Sequence, residues 1–548
     1  MKKLRAMRAL CVTVTVLAIL AGLFTGCTES GTNTKKADVR IAANSDLIKF
    51  FDANGLTASL GDKAGVRIHW MDYGTADEVY ARVQADLSVG ARTRPDAYLG
   101  LGLYEDQIAL LGPDLFLDLS GVIDEGTVEL RNILEADPAI RDALTQGGKL
   151  YSFPSFYEDY ANEFPQKAWI NKDWLQEVGA ELPSTTEELY DVLLKFREKY
   201  GSAADAPSEE APSETEQPPQ KYPLGIAYKD SSFTTFGFII SAFVQTDYDL
   251  SDAEGYINLD DTGKVTTAVT SDGYKEALKY IRRLFDDRLV RRDVFGLGAE
   301  TFLTGKPGGE TYGVIAAPDI NALFNNAARA SVYIPLPPLN GETGSTVFRP
   351  SRVEAGGFMI TKNSDKIEHL LKLGDAMLSK SGTLTILYGK EGIGWNEADD
   401  RIAPLGGTTT SWKRLFGSLE TARPYMNLKG RIPFWYPASL AMQEQATPEQ
   451  DGSVNLQTDQ NWHGYLNQIT KEHYEQAGRK YQNNRLPEVA LSSSGTQAAE
   501  LHTYLTATSR SFVLSELDID EGFETYKTTL REKGLEAFLE DLQQALAK

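Results

Sequence analysis

Cysteine is nearly absent from this chain, which holds only Cys11 and Cys27 among 548 residues. Cys11 lies inside an apolar leader and Cys27 directly behind it, so no disulfide can form within the folded part and thiolate metal sites are excluded. Stability has to come from burial across a large core. Histidine is scarce as well: the five, at 69, 369, 463, 473 and 502, make no H-x-x-x-H or H-E-x-x-H pair. Also missing are a G-x-S-x-G elbow, a G-x-x-x-x-G-K phosphate loop and a G-x-G-x-x-G behind a strand; Gly392-Ile393-Gly394 stands alone. Carboxylate pairs such as Glu158 and Asp159 arise by chance among 77 acidic residues. No catalytic residue, metal site or cofactor is expected, and the chain does not read as an enzyme. Positive charge is short too. With 55 Lys and Arg against 77 Asp and Glu the net charge is −22, which repels phosphate backbones and anionic membrane surfaces and removes nucleic acid from the candidate partners.

What is present points to an exported, two-domain protein. A length of 548 residues exceeds what one core usually supports. Lys2, Lys3, Arg5 and Arg8 lead into ALCVTVTVLAILAGLFTG with no acidic residue, and Cys27 follows at once. That is the pattern of a signal peptide over residues 1–26. Phe24-Thr25-Gly26-Cys27 resembles a bacterial lipobox, with Phe where Leu is usual, and makes Cys27 the candidate lipidation site. An uncleaved membrane anchor is the alternative, since about 18 apolar residues nearly span a bilayer. Removing the leader deepens the net charge by four. Residues 27–37 are polar and aperiodic and read as a flexible tether.

Beyond the tether, VRIAANSD and GVRIHWMDYG read as strands, ADEVYARVQADLSVGA as an amphipathic helix and RPDAYLGLGL as a third strand: a βαβ unit with a parallel pair. Further on, Ser184 or Thr185 ahead of Glu187 and Glu188 signals a capped helix whose apolar face is Leu189, Val192, Leu193 and Phe196. Residues 202–220 contain Pro, Ser and Glu without Lys, Arg or an aromatic, and read as a disordered acidic insert. Ala277, Leu278, Ile281 and Leu284 repeat at helical spacing, and the last stretch, EGFETYKTTLREKGLEAFLEDLQQALAK, is an amphipathic tail.

The chain turns on residues 147–175, GGKLYSFPSFYEDYANEFPQKAWINKDWL. A Gly-Gly turn opens an alternating strand, an aromatic and acidic patch follows, and AWINKDWL reads as a helix start, which together make a crossover between two lobes. With KYPLGIAYKDSSFTTFGFII at 221–240, YKEALKY with the downstream LVRRDVF, and TYGVIAAPDINAL at 311–323, this stretch resembles the extracellular solute-binding proteins of family 1, the lipid-anchored sugar receptors of ABC importers related to maltose-binding protein. The resemblance covers roughly residues 38–545. It implies an α/β, two-lobe periplasmic-binding-protein-like fold with discontinuous lobes and a ligand cleft between them. The expected division is 38–160 and 311–378 in lobe 1, 161–310 and 379–505 in lobe 2, and 506–548 as a C-terminal helical tail. In relatives the position of the acidic insert often holds an Asp- and Asn-rich loop like a calcium site. That pattern is missing here, so no calcium site is carried over.

A sugar receptor needs flat aromatic faces against the apolar faces of sugar rings and polar or charged groups for the hydroxyls. In open α/β sheets these groups sit in loops after the carboxyl ends of strands. The candidate set is Asp46, beside Asn44 and Ser45; Tyr157 and Glu158 after the crossover strand; Phe233, with Phe236 near it; Asp319, with Asn321; and Trp395 and Trp435, with Trp412 and Tyr436 in similar surroundings. Competing structural roles are core packing for the two Phe, a helix cap for Asp46 and a plain surface charge for Glu158. Trp169 and Trp174 are assigned to packing. The resulting expectation is a monomeric carbohydrate receptor, anchored by lipid on the outer face of the cell membrane, that delivers an oligosaccharide to the transmembrane subunits of an ABC permease. A uronate ligand held by Arg352 or Arg431 stays open. The alternatives are a surface carbohydrate-active enzyme and a sensory lipoprotein without transport.

Overall fold

The computed structural model describes residues 36–90, 92–103, 105–158, 164, 167–201, 221–226, 236–244, 257–260, 262–296, 311–317, 320, 330–341, 353–398, 402, 404–405, 409–415, 432–448, 461–474 and 495–546. Ten strands make up its two main sheets: β1 (Ala37–Ala43), β2 (Val66–Asp72), β3 (Ala97–Leu99), β4 (Phe153–Tyr157), β5 (Ala168–Asn171), β6 (Lys221–Ile226), β7 (Thr311–Ala316), β8 (Tyr333–Pro335), β9 (Val353–Ile360) and β10 (Phe434–Tyr436). The first sheet has six strands in the order β10-β4-β9-β3-β1-β2, and the second has four in the order β8-β5-β7-β6.

The opening βαβ unit forms as its pattern predicts. β1 lies parallel between β2 and β3, with Val39 opposite Ile68 and Ile41 opposite Ala97. β9 runs antiparallel to both β3 and β4. On one face of this sheet, helices Leu56–Ala64, Ile367–Leu378 and Lys380–Tyr388 bury Leu60, Leu370, Leu384 and their neighbours against Ile41, Phe153 and Phe358. On the other face Val79, Val83, Ile108 and Leu111 cover Ala42, Tyr98 and Met359. Distant helices are joined by a carboxylate: Asp375 accepts the N–H groups of Val128 and Leu130, each at 2.9 Å, at the start of helix Glu129–Ala136.

The second sheet is likewise covered on both faces. Helix Thr186–Tyr200 starts at Thr185, whose hydroxyl accepts from Glu188 N–H while the Glu188 carboxylate reaches back to the Thr185 N–H, so the capping box forms at the second of the two candidate positions. Helix Asp272–Asp286 buries Ala277, Leu278, Ile281 and Leu284 as their spacing predicts. Helices Gly495–Val513, Ile519–Glu532 and Leu535–Leu546 join the same core through Leu505, Phe523 and Leu542. Helix Trp462–Tyr474 covers the opposite face, where Trp462 and Leu466 meet Trp169 and Tyr312.

Several expected boundaries are corrected. Residues 311–316 do not return to lobe 1, because β7 is paired with β5 and β6 inside the second sheet; an uninterrupted apolar run is buried on both faces wherever it lies, so composition carries no lobe label. The return comes at β9. The described residues of 380–444 belong to the first lobe, since helix Lys380–Tyr388, the hairpin Trp395–Glu397 with Trp412–Arg414, and β10 share its core. Helix Gly495–Val513 crosses the expected tail boundary and packs with the two helices after it. AWINKDWL is a strand, β5, followed by helix Lys172–Glu177 rather than a helix start throughout. The insert 202–220 lies outside the described residues.

One nearly enclosed ion pair braces the first lobe. Arg414, on the hairpin, meets the Glu444 carboxylate at 2.8 Å with the two side chains 9% and 8% exposed, and its guanidinium lies 5.2 Å from the ring centre of Tyr388. Burial opposes the guanidinium's charge, and the carboxylate and neighbouring hydroxyls more than offset it, so Arg414 stays ionised. Removing one member leaves the other buried and unpaired. Glu444→Ala is expected to cost about 3–5 kcal/mol in urea unfolding, against under about 1 kcal/mol for Glu397→Ala in the exposed Lys380 pair. Equal, small losses would rule out a structural role for the buried pair.

Candidate functional site

The strand directions bring a set of chain ends to one edge of each sheet. In the first sheet these are the C-terminal ends of β1, β3, β4 and β10 and the start of β9. In the second they are the C-terminal ends of β6, β7 and β8 and the start of β5. The chain crosses between the two lobes three times: between β4 and β5, between β8 and β9, and after β10 on the way to helix Trp462–Tyr474. Phe164 of the first passage stacks on Tyr474 of the second lobe at 4.6 Å and packs with Ala438 of the third, which draws the passages together. Crevices at such strand ends are where open α/β sheets take ligands.

On the first-lobe edge, β4 and β10 lie side by side in parallel, with Phe156 opposite Trp435 and Tyr157 opposite Tyr436. Phe156 and Trp435 stack with ring centres 4.2 Å apart, and Tyr157 and Tyr436 with 5.2 Å. Tyr436 is buried, its hydroxyl accepting from that of Tyr388, whereas Phe156, Tyr157 and Trp435 are partly exposed. Glu158 holds two passages at their point of departure. Its N–H donates to Tyr436 O at 2.7 Å and its carboxylate accepts the Ala438 N–H at 2.9 Å, so it is a bracing group and not a plain surface charge.

Asp46 reaches the same edge, in the first turn of helix Ser45–Ala53, where negative charge complements the helix dipole. It is not the cap. Asn44 is, accepting the Leu47 N–H at 2.8 Å while its amide donates to Gly100 O, so that the loops after β1 and β3 are tied. The Ser45 hydroxyl donates to Asp72, and that hydrogen bond, with one from Gly74 N–H, holds the Asp72 carboxyl below its ordinary pKa.

Trp395 is corrected. It is 1% exposed, on a hairpin packed against helix Lys380–Tyr388, and belongs to the first-lobe core; Trp412 is buried with it, stacked on Tyr388 at 5.1 Å and donating to Leu440 O. Gly- and Pro-rich flanks suggested open loops, but the apolar side of a two-stranded hairpin needs a cover, and the helix supplies it. Phe236 is likewise core. Trp169 and Trp174 pack as assigned, Trp169 donating to Ala317 O at 2.8 Å with the Lys167 ammonium 4.7 Å from its ring centre. Phe233, Asp319, Asn321, Arg352, Arg431 and Cys27 lie outside the described residues. The residue that sequence reasoning missed is Phe156, which looks like any strand aromatic until β10 is placed beside it.

Helix Trp462–Tyr474 meets the first lobe at Leu405. A Cβ on Gly464 would stand 2.3 Å from the Leu405 side chain, so only glycine admits that contact between the lobes. At the helix end the His473 Nδ1–H donates to Pro335 O at 3.0 Å and the Tyr474 hydroxyl to Leu336 O at 2.9 Å, which fastens the start of the second passage.

No protein-family model matches the chain. The fructooligosaccharide ABC transporter substrate-binding protein FusA of Streptococcus pneumoniae serotype 4 is 26% identical over 368 residues, covering 65% of this chain and 63% of that protein. The polygalacturonan/rhamnogalacturonan-binding protein YtcQ of Bacillus subtilis is 24% identical over 284 residues, 49% of this chain and 50% of that one. The matched part thus spans less than two thirds of either relative. Among solved structures, an HMO-binding, ABC-transporter-associated solute-binding protein from Bifidobacterium longum infantis superposes with a TM-score of 0.66 at 18% identity, over 93% of this chain and 98% of that one. The fold is the two-lobe fold of solute-binding proteins, as the resemblance implied, and both curated relatives are named for a carbohydrate ligand.

Burial pushes the His473 imidazole below its ordinary 6.5, against the opposing pull of Pro335 O and the Glu472 carboxylate. A pKa depressed by folding contributes stability that is full above 6.5 and is lost as pH falls through the folded value, because the unfolded chain takes up the proton first. The melting temperature is expected to fall from pH 6.5 toward 5, and His473→Gln to fall less over that interval. Parallel curves for the two proteins would rule out the coupling.

Proposed function

We propose that the chain is the extracellular substrate-binding protein of an ABC importer, capturing an oligosaccharide between its lobes and delivering it to the transmembrane subunits of a permease. The observation that carries this reading is the aromatic edge of Tyr157 and Trp435, partly exposed where two of the three passages leave the first lobe. Flat rings beside carboxylates and backbone groups suit sugars, whose rings present apolar C–H faces and hydroxyl rims. The carbohydrate-binding relatives support it. Asp46, Tyr157, Glu158 and Trp435 are the proposed contacts from the first lobe, with Glu158 also bracing the passages. Phe233 and Asp319, which follow β6 and β7 in the chain, are proposed from the second. Ligand contacts to both lobes would favour the closed arrangement, and closure is the signal a permease can read.

The protein binds and does not turn over its ligand, works as a monomer and uses no cofactor in this reading. After removal of residues 1–26, Cys27 carries the lipid that holds it at the outer face of the cell membrane. Each buried CH₂ of an acyl chain contributes roughly 0.8 kcal/mol, and two chains give lasting attachment. No helix among the described residues is long and apolar enough to cross a membrane.

Two measurements test this. A thermal-shift panel of neutral and uronate oligosaccharides on residues 28–548 should give a rise in melting temperature with one class, with the sugar recovered intact and binding weakened at least about tenfold, or 1.4 kcal/mol, by Trp435→Ala. No shift with any sugar sinks the receptor reading, and cleaved product would replace it with an enzyme. In cells, Cys27→Ser should release the protein into the medium and abolish palmitate labelling; unchanged membrane retention would favour the uncleaved leader.

A further inference from the structure

We propose that Phe156 is a positioning residue for carbohydrate binding: its ring backs the indole of Trp435 and holds the indole's outer face as a flat platform for the apolar face of one sugar ring. This rests on the receptor reading above. It adds a residue with no polar chemistry of its own.

The parallel register sets two aromatic pairs on successive residues of β4 and β10, and successive side chains of a strand point to opposite faces. The two pairs differ. In the Tyr157–Tyr436 pair one ring is closed off, because Tyr436 is buried against Tyr388 and Trp412 while Tyr157 is partly exposed. Phe156 and Trp435 form an open one: both are partly exposed, and their planes lie within 19° at a centre distance of 4.2 Å. Among the described residues β10 is the outermost strand of its sheet, with no strand flanking Trp435 on the side away from β4.

The backbone beneath the indole is fixed on both sides. Trp435 N–H donates to the hydroxyl of the buried Thr383 at 2.9 Å, which satisfies the edge strand where a neighbour would otherwise pair. On the inner side, Tyr436 O takes the Glu158 N–H. With the backbone held, the remaining freedom of Trp435 is rotation of its side chain, and the Phe156 ring removes it. A platform already ordered in the free protein loses less entropy when ligand arrives, and that difference appears as affinity.

The test compares Phe156→Leu, Phe156→Tyr and Trp435→Ala with the unchanged chain, by calorimetric titration with kestose or with the panel oligosaccharide that raises the melting temperature most. Phe156→Leu keeps bulk but loses the stack, and is expected to weaken binding about three- to tenfold. Phe156→Tyr keeps the stack and should bind as the unchanged chain does. Melting temperatures are read alongside, since a residue that only packs would lower them without moving the dissociation constant. Indole emission, taken as the difference from Trp435→Phe, should become red-shifted in Phe156→Leu before ligand is added. If Phe156→Leu binds normally while Trp435→Ala does not, the positioning role falls and the receptor reading stands. If the unchanged chain binds no sugar, both fall.

Discussion

Three residues of β10, paired in parallel with the end of β4, hold the first lobe together across most of the chain's length. The pairing draws residues 434–436 back to a strand laid down at 153–157, and Glu158 locks the return by joining its N–H to Tyr436 O and its carboxylate to Ala438 N–H. From that junction two of the three passages to the second lobe depart. Its aromatic pairs set the surface presented at the edge, and the Arg414–Glu444 brace holds the first-lobe end of the third passage.

The second lobe reaches the same region by different means. Its sheet is sandwiched between helices from three distant parts of the chain, with Trp462–Tyr474 on one face and the Asp272–Asp286 and C-terminal helices on the other. Phe164, Ala438 and Tyr474 are the small apolar cluster that links the lobes, while Gly464 admits Leu405 at close range. The two large cores are separate among the described residues, and packed cores of this kind resist deformation.

Much of the local structure was legible in residue spacing. The strands at 37–43 and 66–72, the capping box at Thr185 and the buried stripe of Asp272–Asp286 follow from period and capping, which act over a few residues. Among the candidate site residues, Tyr157 and Trp435 stand on neighbouring strands at the edge, on opposite faces of the sheet, and Asp46 stands on it as a helix residue rather than a cap. Trp395 failed because loop-like flanks say nothing about the helix that covers them.

The sequence by itself determined the class of fold, the lack of a thiol or histidine metal motif, and the identity of several helices and strands. These depend on composition and short-range pattern. Only the tertiary structure decided which lobe 311–316 and the described residues of 380–444 join, which aromatics are core, and that Phe156 lies against Trp435. Those outcomes turn on the pairing of segments far apart in the chain, where an apolar strand fits equally well into either sheet until hydrogen-bond register and covering helices select one.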